Sequence, residues 1–265
     1  MNYINIENLK IYAYHGVFPE ENRQGQDFFI SARLYLDTTA AAGTDDLNHS
    51  VNYGDVCHFL TDKMQQHTFH LIEAAADHLA CSLLLKYPLL QKVELKLRKP
   101  HAPIGLPFED ISINVTRSWH DVCLSIGSNM GNKKAYLDLA VLQLQSLTGC
   151  KVDKVASYIT TAPYGYTEQD DFLNSAILLK TFLTPRELLN ALHGIEQEAG
   201  RERTIHWGPR TLDLDILLYD DLITDEPDLV IPHPDMENRD FVLIPLKEIA
   251  PYKIHPLLHK RIKDL

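Results

Sequence analysis

The sequence has few cysteines, and none of them is arranged for a disulfide framework or a zinc site. Four cysteines occur in 265 residues, and no two of them are spaced as C-x-x-C. Disulfide-stabilised domains have far more cysteines per residue, and structural zinc sites use closely spaced pairs. We therefore interpret all four as reduced core thiols: Cys57, Cys81, Cys123 and Cys150.

The chain also lacks a long apolar run. Its longest run, from Leu79 to Leu90, is interrupted by Lys86 and Pro88, whereas a membrane-spanning helix needs about 20 apolar residues. Residues 1–10 alternate apolar and polar side chains and show no signal-peptide pattern. The sequence therefore predicts a cytoplasmic protein with no membrane partner.

An excess of basic residues is absent too, since the formal net charge is −11. A general nucleic-acid binder needs a basic surface, so this class is disfavoured and no nucleic-acid partner is expected. The charge does not exclude an anionic small substrate, because a few arginines can form a local basic pocket. The candidates are Arg201, Arg203, Arg210 and Arg239.

The familiar nucleotide-binding motifs are missing. The run from Gly127 to Gly131 continues as Asn-Lys-Lys instead of completing a P-loop, and no G-x-G-x-x-G occurs. ATP, if it binds, must bind in another way.

What is present is a regular hydrophobic rhythm, which divides the chain into two α+β domains. In residues 1–118, two strand patterns precede two amphipathic helix patterns and two further strand patterns, which predicts the order β-β-α-α-β-β. The predicted ranges are 3–14 and 27–37 for the first strands, 56–64 and 71–86 for the helices, and 93–98 and 111–115 for the last strands.

The segment Thr116–Asp121 interrupts this rhythm, and a second domain is predicted over residues 121–265. Its order is β-α-β-β-α-β, the ferredoxin-like arrangement. The start of its second helix is marked by Thr184, Pro185 and Glu187, a capping box with proline at the first helical position. The predicted ranges are 122–126, 152–160, 173–182 and 211–219 for strands, and 133–147, closed by Gly149, and 185–199, ended by Gly200, for helices.

Two carboxylates lie on one face of the last predicted strand. The strand period of two places Asp213 and Asp215 together, with Leu212, Leu214 and Ile216 on the other face. Two neighbouring carboxylates suit Mg²⁺, which uses few protein ligands and keeps water or substrate phosphates. A solvent-facing pair on an amphipathic strand is the alternative, and the D-x-D pattern alone favours it.

The residues before this strand change the balance between these two interpretations. Glu196, Gly200-Arg-Glu-Arg203 and Trp207-Gly-Pro-Arg210 bring three arginines and an aromatic ring close to the aspartates along the chain. Arginine binds phosphate oxygens through two hydrogen bonds at once. An arginine-rich loop next to a carboxylate pair indicates a polyphosphate site.

Residues 121–265 resemble 6-hydroxymethyl-7,8-dihydropterin pyrophosphokinase. The resemblance rests on Gly127-Ser-Asn129, Thr161-Ala-Pro-Tyr-Gly165, Asp171-Phe-Leu-Asn174, Gly200-Arg-Glu-Arg203, Trp207 to Ile216, and Pro232-His233 with Arg239. It implies that Asp213 and Asp215 bind two Mg²⁺ ions that bridge the ATP phosphates. The pterin hydroxymethyl oxygen would then attack the β-phosphorus, and AMP would leave.

The same resemblance implies further site residues. Arg201 and Arg210 would bind phosphates, and His233 would act beside the nucleotide. The implied ATP-binding residues are Glu196, Arg201, Arg203, Arg210, Ile216, His233 and Arg239, and the implied pterin-binding residues are Thr161, Asn174, Phe172, Trp207 and Phe241. For Phe172 a plain core position remains open, and Trp207 is alternatively a residue that only anchors its loop.

The chain departs from this family pattern at a few positions. The stretch Thr204-Ile-His206 lacks the lysine expected in this loop and is about one residue shorter than expected, and Ala162 and Pro234 replace more usual residues. The resemblance therefore supports the metal site more strongly than the contacts that close the loop over the substrates.

In the first domain the polar residues by themselves leave several interpretations open. The sequence pattern is consistent with Tyr53 at the start of a helix and with Lys99 as a solvent-exposed residue at the end of a strand. Glu73 begins an apolar helix, so it serves either the helix dipole or a ligand.

Residues 1–118 resemble dihydroneopterin aldolase through His15 to Asn22 with Gly25-Gln26, Val51 to Asp55, Leu71-Ile-Glu73 and Arg98 to Pro103. The resemblance implies a tunnelling-fold domain without a cofactor, in a homo-oligomeric ring whose sites lie between subunits. It implies that Lys99 acts as a base through a water, that Tyr53 transfers a proton, and that Glu21 orients the substrate. Glu73 would bind the pterin edge, with Ile72 and Val17 as further substrate-binding residues.

Other interpretations of the first domain remain. A Schiff base at Lys99, or metal-assisted cleavage through His49, His67 and His70, would be rival mechanisms. A different class of function is a pyrophosphokinase fused to a pterin-binding or oligomerisation module without chemistry of its own.

Overall fold

The computed structural model describes residues 1–164, 168–200 and 209–265. They form two compact units, residues 1–119 and residues 120–265. Both units combine antiparallel sheets with helices, so the predicted α+β class is confirmed. Among the described residues, no helix has the length and apolar character needed to cross a membrane.

The first unit is built on a four-stranded antiparallel sheet. Its strands are β1 (Asn2–Ala13), β2 (Gln26–Leu36), β3 (Lys92–Arg98) and β4 (Ser112–Ser118), hydrogen-bonded in that order. On β2 the predicted inward residues Ile30, Ala32, Leu34 and Leu36 are at most 2% exposed, as expected when one face of a sheet is covered.

Two short helices, a 3₁₀ turn and two long helices accompany this sheet in the first unit. The helices are α1 (Pro19–Gln24), α2 (Thr39–Thr44), α3 (Tyr53–Gln66) and α4 (Ile72–Lys86), with a 3₁₀ turn at Leu47–His49. On α3 the buried residues Val56, Leu60 and Met64 are spaced by four, which is one stripe of a helix. The N-cap of α3 is Asn52, whose side chain accepts hydrogen bonds from the Gly54 and Asp55 amides.

The second unit contains a sheet with the strand order β6-β8-β5-β9, in which every pair is antiparallel. Strand β7 also pairs with β8, and β10 pairs only with β11. The elements are β5 (His120–Ser128), α5 (Lys133–Ser146), β6 (Cys150–Val155), β7 (Ile159–Thr161), β8 (Phe172–Thr181), α6 (Pro185–Glu198), β9 (Asp213–Tyr219), β10 (Thr224–Glu226), β11 (Leu229–Ile231) and α7 (Asp240–Ile249).

Each face of this sheet has its own apolar core. Val122, Leu124 and Ile126 of β5 pack in a core that includes residues of α5 and α6. Cys123, between them in sequence, packs in a second core that includes residues of α7. Since successive side chains of a strand point to opposite faces, α5 and α6 cover one face and α7 covers part of the other.

Two strand predictions in this part of the chain were wrong in their limits. Thr116–Ser118 belong to β4 and His120 to β5, so Trp119 alone separates the strands. Strand β4 extends further than its apolar pattern because its last, polar residues still pair with β3, as Thr116 does with Glu94. The strand predicted over 152–160 is two strands, β6 and β7, because the chain shifts its register along β8.

The helix predictions were close. Helix α6 begins at the predicted capping box, where the Thr184 side chain accepts from the Glu187 amide and the Glu187 carboxylate accepts from the Thr184 amide. Helix α5 ends at Ser146 with Leu147 as its C-cap, so Gly149 lies beyond the helix instead of next to its end. Gly149 has φ +83°, and a Cβ there would lie 2.4 Å from the Phe182 ring.

We predict that Gly149→Ala lowers the free energy of unfolding by about 1–3 kcal/mol, because the methyl group meets both a positive φ and a buried ring. The matched control is Gly194→Ala within α6, where a Cβ meets no atom within 4 Å. It should raise stability by roughly 0.5–1 kcal/mol, since alanine favours a helix. Urea unfolding of the full chain measures both, and equal stability of Gly149→Ala and the unmodified chain would contradict the prediction.

Candidate active sites

In the first unit, Lys99 and Glu21 form an ion pair with little access to solvent. The Lys99 Nζ lies 2.6 Å from Glu21 Oε1, and their side chains are 10% and 8% exposed. Lys99 follows the last residue of β3, where its amide donates to the Ile111 carbonyl at 2.7 Å. This ion pair is a tertiary contact between a strand-end lysine and an acidic residue of α1 that the sequence did not predict, and the lysine is not the solvated strand end that its sequence position also permitted.

Several groups hold the Glu21 carboxylate in place. The Phe18 amide donates to Oε2 at 3.1 Å and the Gln26 side chain donates to Oε1 at 3.3 Å. Burial raises the pKa of Glu21, but the hydrogen bonds from Lys99 and Phe18 outweigh it, and the pKa lies below its ordinary value. Glu21 is therefore a carboxylate at neutral pH, suited to hold a cationic or hydrogen-bond-donating group.

Gly16 makes room for this carboxylate. A Cβ at position 16 would lie 2.2 Å from Glu21 Oε2. A side chain there would displace Glu21, so the glycine of the His15-Gly16 pair is required by the packing of the site.

The other residues predicted for this site lie at the surface of the unit. Tyr53 and Val17 are 66% and 60% exposed. Glu73 is also exposed and, with Ile72, opens helix α4. Within one copy of the first unit, the structure brings together Lys99 and Glu21 but leaves Tyr53 and Val17 facing outward.

The histidines considered for a metal site have other surroundings. The His49 ring bonds Thr44, the His67 ring packs on Phe69, and the His70 ring lies 3.4 Å from the Gly16 carbonyl oxygen. In residues 1–164, 168–200 and 209–265, no group of three or more histidines, cysteines or acidic residues is suited to hold a metal.

In the second unit, Asp213 and Asp215 lie on one face of β9, as predicted. Across the sheet Asp213 pairs with Gly127 and Asp215 pairs with Ser125. Leu214, between them, is 3% exposed and packs in the core that includes residues of α5 and α6. The carboxylates therefore occupy the opposite face, next to small residues of β5.

Arg210 is a basic partner of Asp213 in the described chain. Its guanidinium lies 2.6 Å from Asp213 Oδ2, and both side chains are about one-fifth exposed (19% and 20%). Two carboxylates on one strand face suit Mg²⁺, which uses few protein ligands and keeps water and phosphate oxygens in its coordination sphere. The residues present therefore fit the implied metal.

Thr161 and Asn174 meet on neighbouring strands, as their predicted shared role requires. The Asn174 amide donates to Thr161 Oγ1 at 2.8 Å, and Phe172 pairs with Thr161 across the strands. A Cβ at Gly127 would lie 2.5 Å from Asn174 Oδ1. The close approach of Asn174 to β5 thus depends on a glycine at that point.

His233, Arg239 and Phe241 form a second group near Asp213. Asp235 organises them, since its amide donates to His233 Nδ1 at 3.3 Å and its carboxylate accepts from Arg239 Nε at 2.8 Å. The Arg239 guanidinium lies 5.8 Å from the centre of the Phe241 ring. Burial and then the charge of Arg239 lower the pKa of His233, against the opposing carboxylates of Asp235 and Asp213, so a neutral imidazole faces the site at neutral pH.

Two residues implied to bind ATP have structural contacts as well. Glu196 is 3% exposed, and its Oε1 accepts from the Leu214 amide at 2.8 Å. Ile216 is 6% exposed and packs in the core, so only its backbone can contact a nucleotide. Arg201, Arg203 and Trp207, and the departure at 204–206, lie outside the described residues.

Asn129 is a site residue to which the sequence assigned no role. It is 2% exposed, its Oδ1 accepts from the Arg210 amide at 2.8 Å, and its amide group donates to Gln169 Oε1 at 3.0 Å. It thus ties the loop after β5 to the segments before β8 and β9. The Gly127-Ser-Asn129 run was the available signal, but its hydrogen bonds exist only in the folded chain.

Two family models match the chain, one in each unit. The model described as dihydroneopterin aldolase matches residues 4–116. The model described as 7,8-dihydro-6-hydroxymethylpterin-pyrophosphokinase matches residues 123–251. The matches end close to the limits of the two compact units.

Some related proteins match about half of the chain, and others match almost all of it. The 2-amino-4-hydroxy-6-hydroxymethyldihydropteridine pyrophosphokinase of Bacillus subtilis is 47% identical over 127 residues, which is 48% of this chain and 76% of that protein. The namesake from Aquifex aeolicus is 38% identical over 54% of this chain and 88% of its own length. The folic acid synthesis protein FOL1 of Dictyostelium discoideum is 32% identical over 98% of this chain, but over only 43% of its own length.

The chain thus spans less than half the length of the first multifunctional relatives, with 43%, 41% and 31% of each covered. Among solved structures, E. coli dihydroneopterin aldolase in complex with neopterin matches 44% of this chain and all of that chain, with 24% identity and a TM-score of 0.42. By the pyrophosphokinase matches, which cover 88% and 76% of those relatives, and by the two family models, the chain belongs to the hydroxymethyldihydropterin pyrophosphokinase family and carries a dihydroneopterin aldolase family domain before it.

Proposed function

We propose that residues 1–118 cleave 7,8-dihydroneopterin to glycolaldehyde and 6-hydroxymethyl-7,8-dihydropterin, and that residues 121–265 transfer pyrophosphate from ATP to this product. The observation that carries the first activity is the buried Lys99–Glu21 pair. The second rests on the shared face of Asp213 and Asp215 beside Arg210. Both steps belong to folate biosynthesis, and the cytoplasmic location stays a prediction.

In the aldolase domain, Lys99 would remove the proton of the substrate side-chain hydroxyl through a water. The adjacent carbon–carbon bond then breaks, its electron pair enters the pterin ring, and glycolaldehyde leaves. Tyr53 would deliver a proton to the resulting enol. Glu21 would orient the lysine and the substrate, and Glu73 would accept hydrogen bonds from the pterin edge. No cofactor is required, since the ring receives the electrons.

We infer that the aldolase domain works as a homo-oligomer. Tyr53 and Val17 are 66% and 60% exposed in one copy, although the reaction needs the tyrosine beside Lys99. Strands β1 and β4 are the edges of the sheet, and unpaired strand edges of this kind are ready to join a neighbouring chain. A neighbouring subunit would supply the tyrosine.

The proposal also includes the finer fold assignments. The first domain would have the tunnelling fold, and the second would have the ferredoxin-like fold.

In the pyrophosphokinase domain, two Mg²⁺ ions held by Asp213 and Asp215 would neutralise the ATP phosphates and polarise the phosphorus that is attacked. Arg210 would exchange its contact with Asp213 for a phosphate, because phosphate offers the same two-oxygen geometry. Thr161 and Asn174 would bind the pterin edge, and Phe172 or Phe241 would stack on its ring. Neutral His233 and Arg239 would contact the nucleotide, together with Glu196, the Ile216 backbone, Arg201 and Arg203, while Trp207 would cover the site.

The alternative of a first domain without chemistry fits the Lys99–Glu21 pair less well. Burying two charges costs free energy that their attraction does not always repay, so such pairs are not kept for stability alone. Buried charged groups of this kind are common at catalytic sites.

We predict that Asp215→Ala lowers the rate of AMP formation by about 10³-fold or more, because it removes a metal ligand whose effect is worth several kcal/mol. Glycolaldehyde release by the same protein should not change. The control Asp225→Ala alters an exposed aspartate of β10 and should retain both activities. AMP formation at the unmodified rate in Asp215→Ala would refute the assigned metal site.

For the first domain, Lys99→Ala should lower glycolaldehyde release by about 100-fold or more, the scale of lost general-base catalysis. AMP formation from added hydroxymethyldihydropterin should be retained. Lys96→Ala, in the middle of β3, is the control and should keep both activities. Glycolaldehyde release that survives in Lys99→Ala would favour another base, and borohydride trapping on Lys99 would favour the Schiff-base mechanism. An unmodified chain that releases no glycolaldehyde would favour the non-catalytic module.

A further inference from the structure

The segment 67–71 leads into Glu73 but belongs to neither a helix nor a strand. Its backbone groups therefore lack the regular partners that a sheet or helix supplies, and other residues must satisfy them. Two consecutive residues at the end of the first strand do so. The Gly16 amide donates to the Phe69 carbonyl at 2.9 Å, and the Phe69 amide donates to His15 Nδ1 at 3.1 Å.

The His15 ring is enclosed completely. It is 0% exposed and packs against the rings of Phe28 and Phe69, with centroid distances of 5.2 and 5.5 Å. Lys99 lies close to the same Phe28 ring, with its Nζ 5.9 Å from the ring centre. His15 is thus buried between Lys99 and segment 67–71, which leads into Glu73.

The protonation state of this ring follows from its partner. A backbone amide can only donate, so Nδ1 must carry a lone pair and the proton of a neutral ring must be on Nε2. Burial and then the positive charge of Lys99 lower the pKa of His15 to about 4. The ring is therefore neutral at pH 7 and able to accept this bond.

We propose that His15 is a positioning residue of the aldolase site, which uses Nδ1 to hold the Phe69 amide and thereby fixes Glu73 relative to the Lys99–Glu21 pair. The inference rests on the proposed aldolase function. Gly16 completes the connection, because its carbonyl and amide bind segment 67–71 on one side and its missing side chain accommodates the Glu21 carboxylate on the other. Substrate binding at this site depends on the distance between the Glu73 carboxylate and the Lys99 side chain.

Two substitutions separate this role from simple packing. His15→Leu introduces an apolar side chain of similar volume and removes the Nδ1 acceptor. It also removes Nε2, a buried atom with no hydrogen-bond partner among the described residues. His15→Asn is smaller but places Oδ1 where Nδ1 was. His58→Leu, an exposed histidine on α3, serves as the control.

We expect His15→Leu to raise the KM for dihydroneopterin about tenfold, the scale of one lost hydrogen bond in a binding segment, with kcat changed by no more than about threefold. His15→Asn should recover most of the KM, and the control should match the unmodified chain. Equal KM values for His15→Leu and the unmodified chain, or equal defects in the Leu and Asn variants, would overturn the inference.

The tautomer of the His15 ring can be measured on the unmodified full chain, so this test does not depend on whether the variants fold. The ¹⁵N chemical shifts of the His15 ring at pH 7 should show a protonated Nε2 and an unprotonated Nδ1. A protonated Nδ1 would overturn the inference. An unmodified chain that releases no glycolaldehyde would remove the proposed aldolase function, and the tautomer would still decide whether His15 holds the Phe69 amide.

Discussion

The alternation of side chains along β-strands is the constraint on which both units depend. The core that includes residues of α5 and α6 contains Val122, Leu124 and Ile126 of β5 and Leu214 and Ile216 of β9. The intervening residues face the other way, and these positions carry Asp213 and Asp215. A shift of one residue in the pairing would bury the carboxylates and expose the core residues, so the packing energy of the core also fixes the geometry of the site.

Ion pairs with little access to solvent then hold residues of both candidate sites. In the first unit Lys99 is paired with Glu21, and in the second unit Arg210 is paired with Asp213. Each pair joins residues that one rigid element and one loop supply. Pairs of this kind orient side chains before a substrate arrives, and such preorganisation is the condition for catalysis by positioning and electrostatic stabilisation.

The two family assignments have a chemical consequence. The product expected of a dihydroneopterin aldolase is the pterin alcohol that a hydroxymethyldihydropterin pyrophosphokinase consumes. A single chain with both domains supplies the two domains in equal amounts. The multifunctional relatives are more than twice as long as the part that they share with this chain, so what else such proteins do is not transferable to it.

The sequence by itself determined the α+β class, the capping box at Thr184 and the shared face of Asp213 and Asp215, because each follows from local periodicity or from neighbouring residues. It did not determine the limits of β4, β6 and β7, since the pairing partner decides how far a strand extends. Local pattern also left Lys99 as a possible solvated strand end. Only the tertiary structure buried it against Glu21, placed Asn129 on the Arg210 backbone and enclosed His15, because these contacts join residues far apart in the chain.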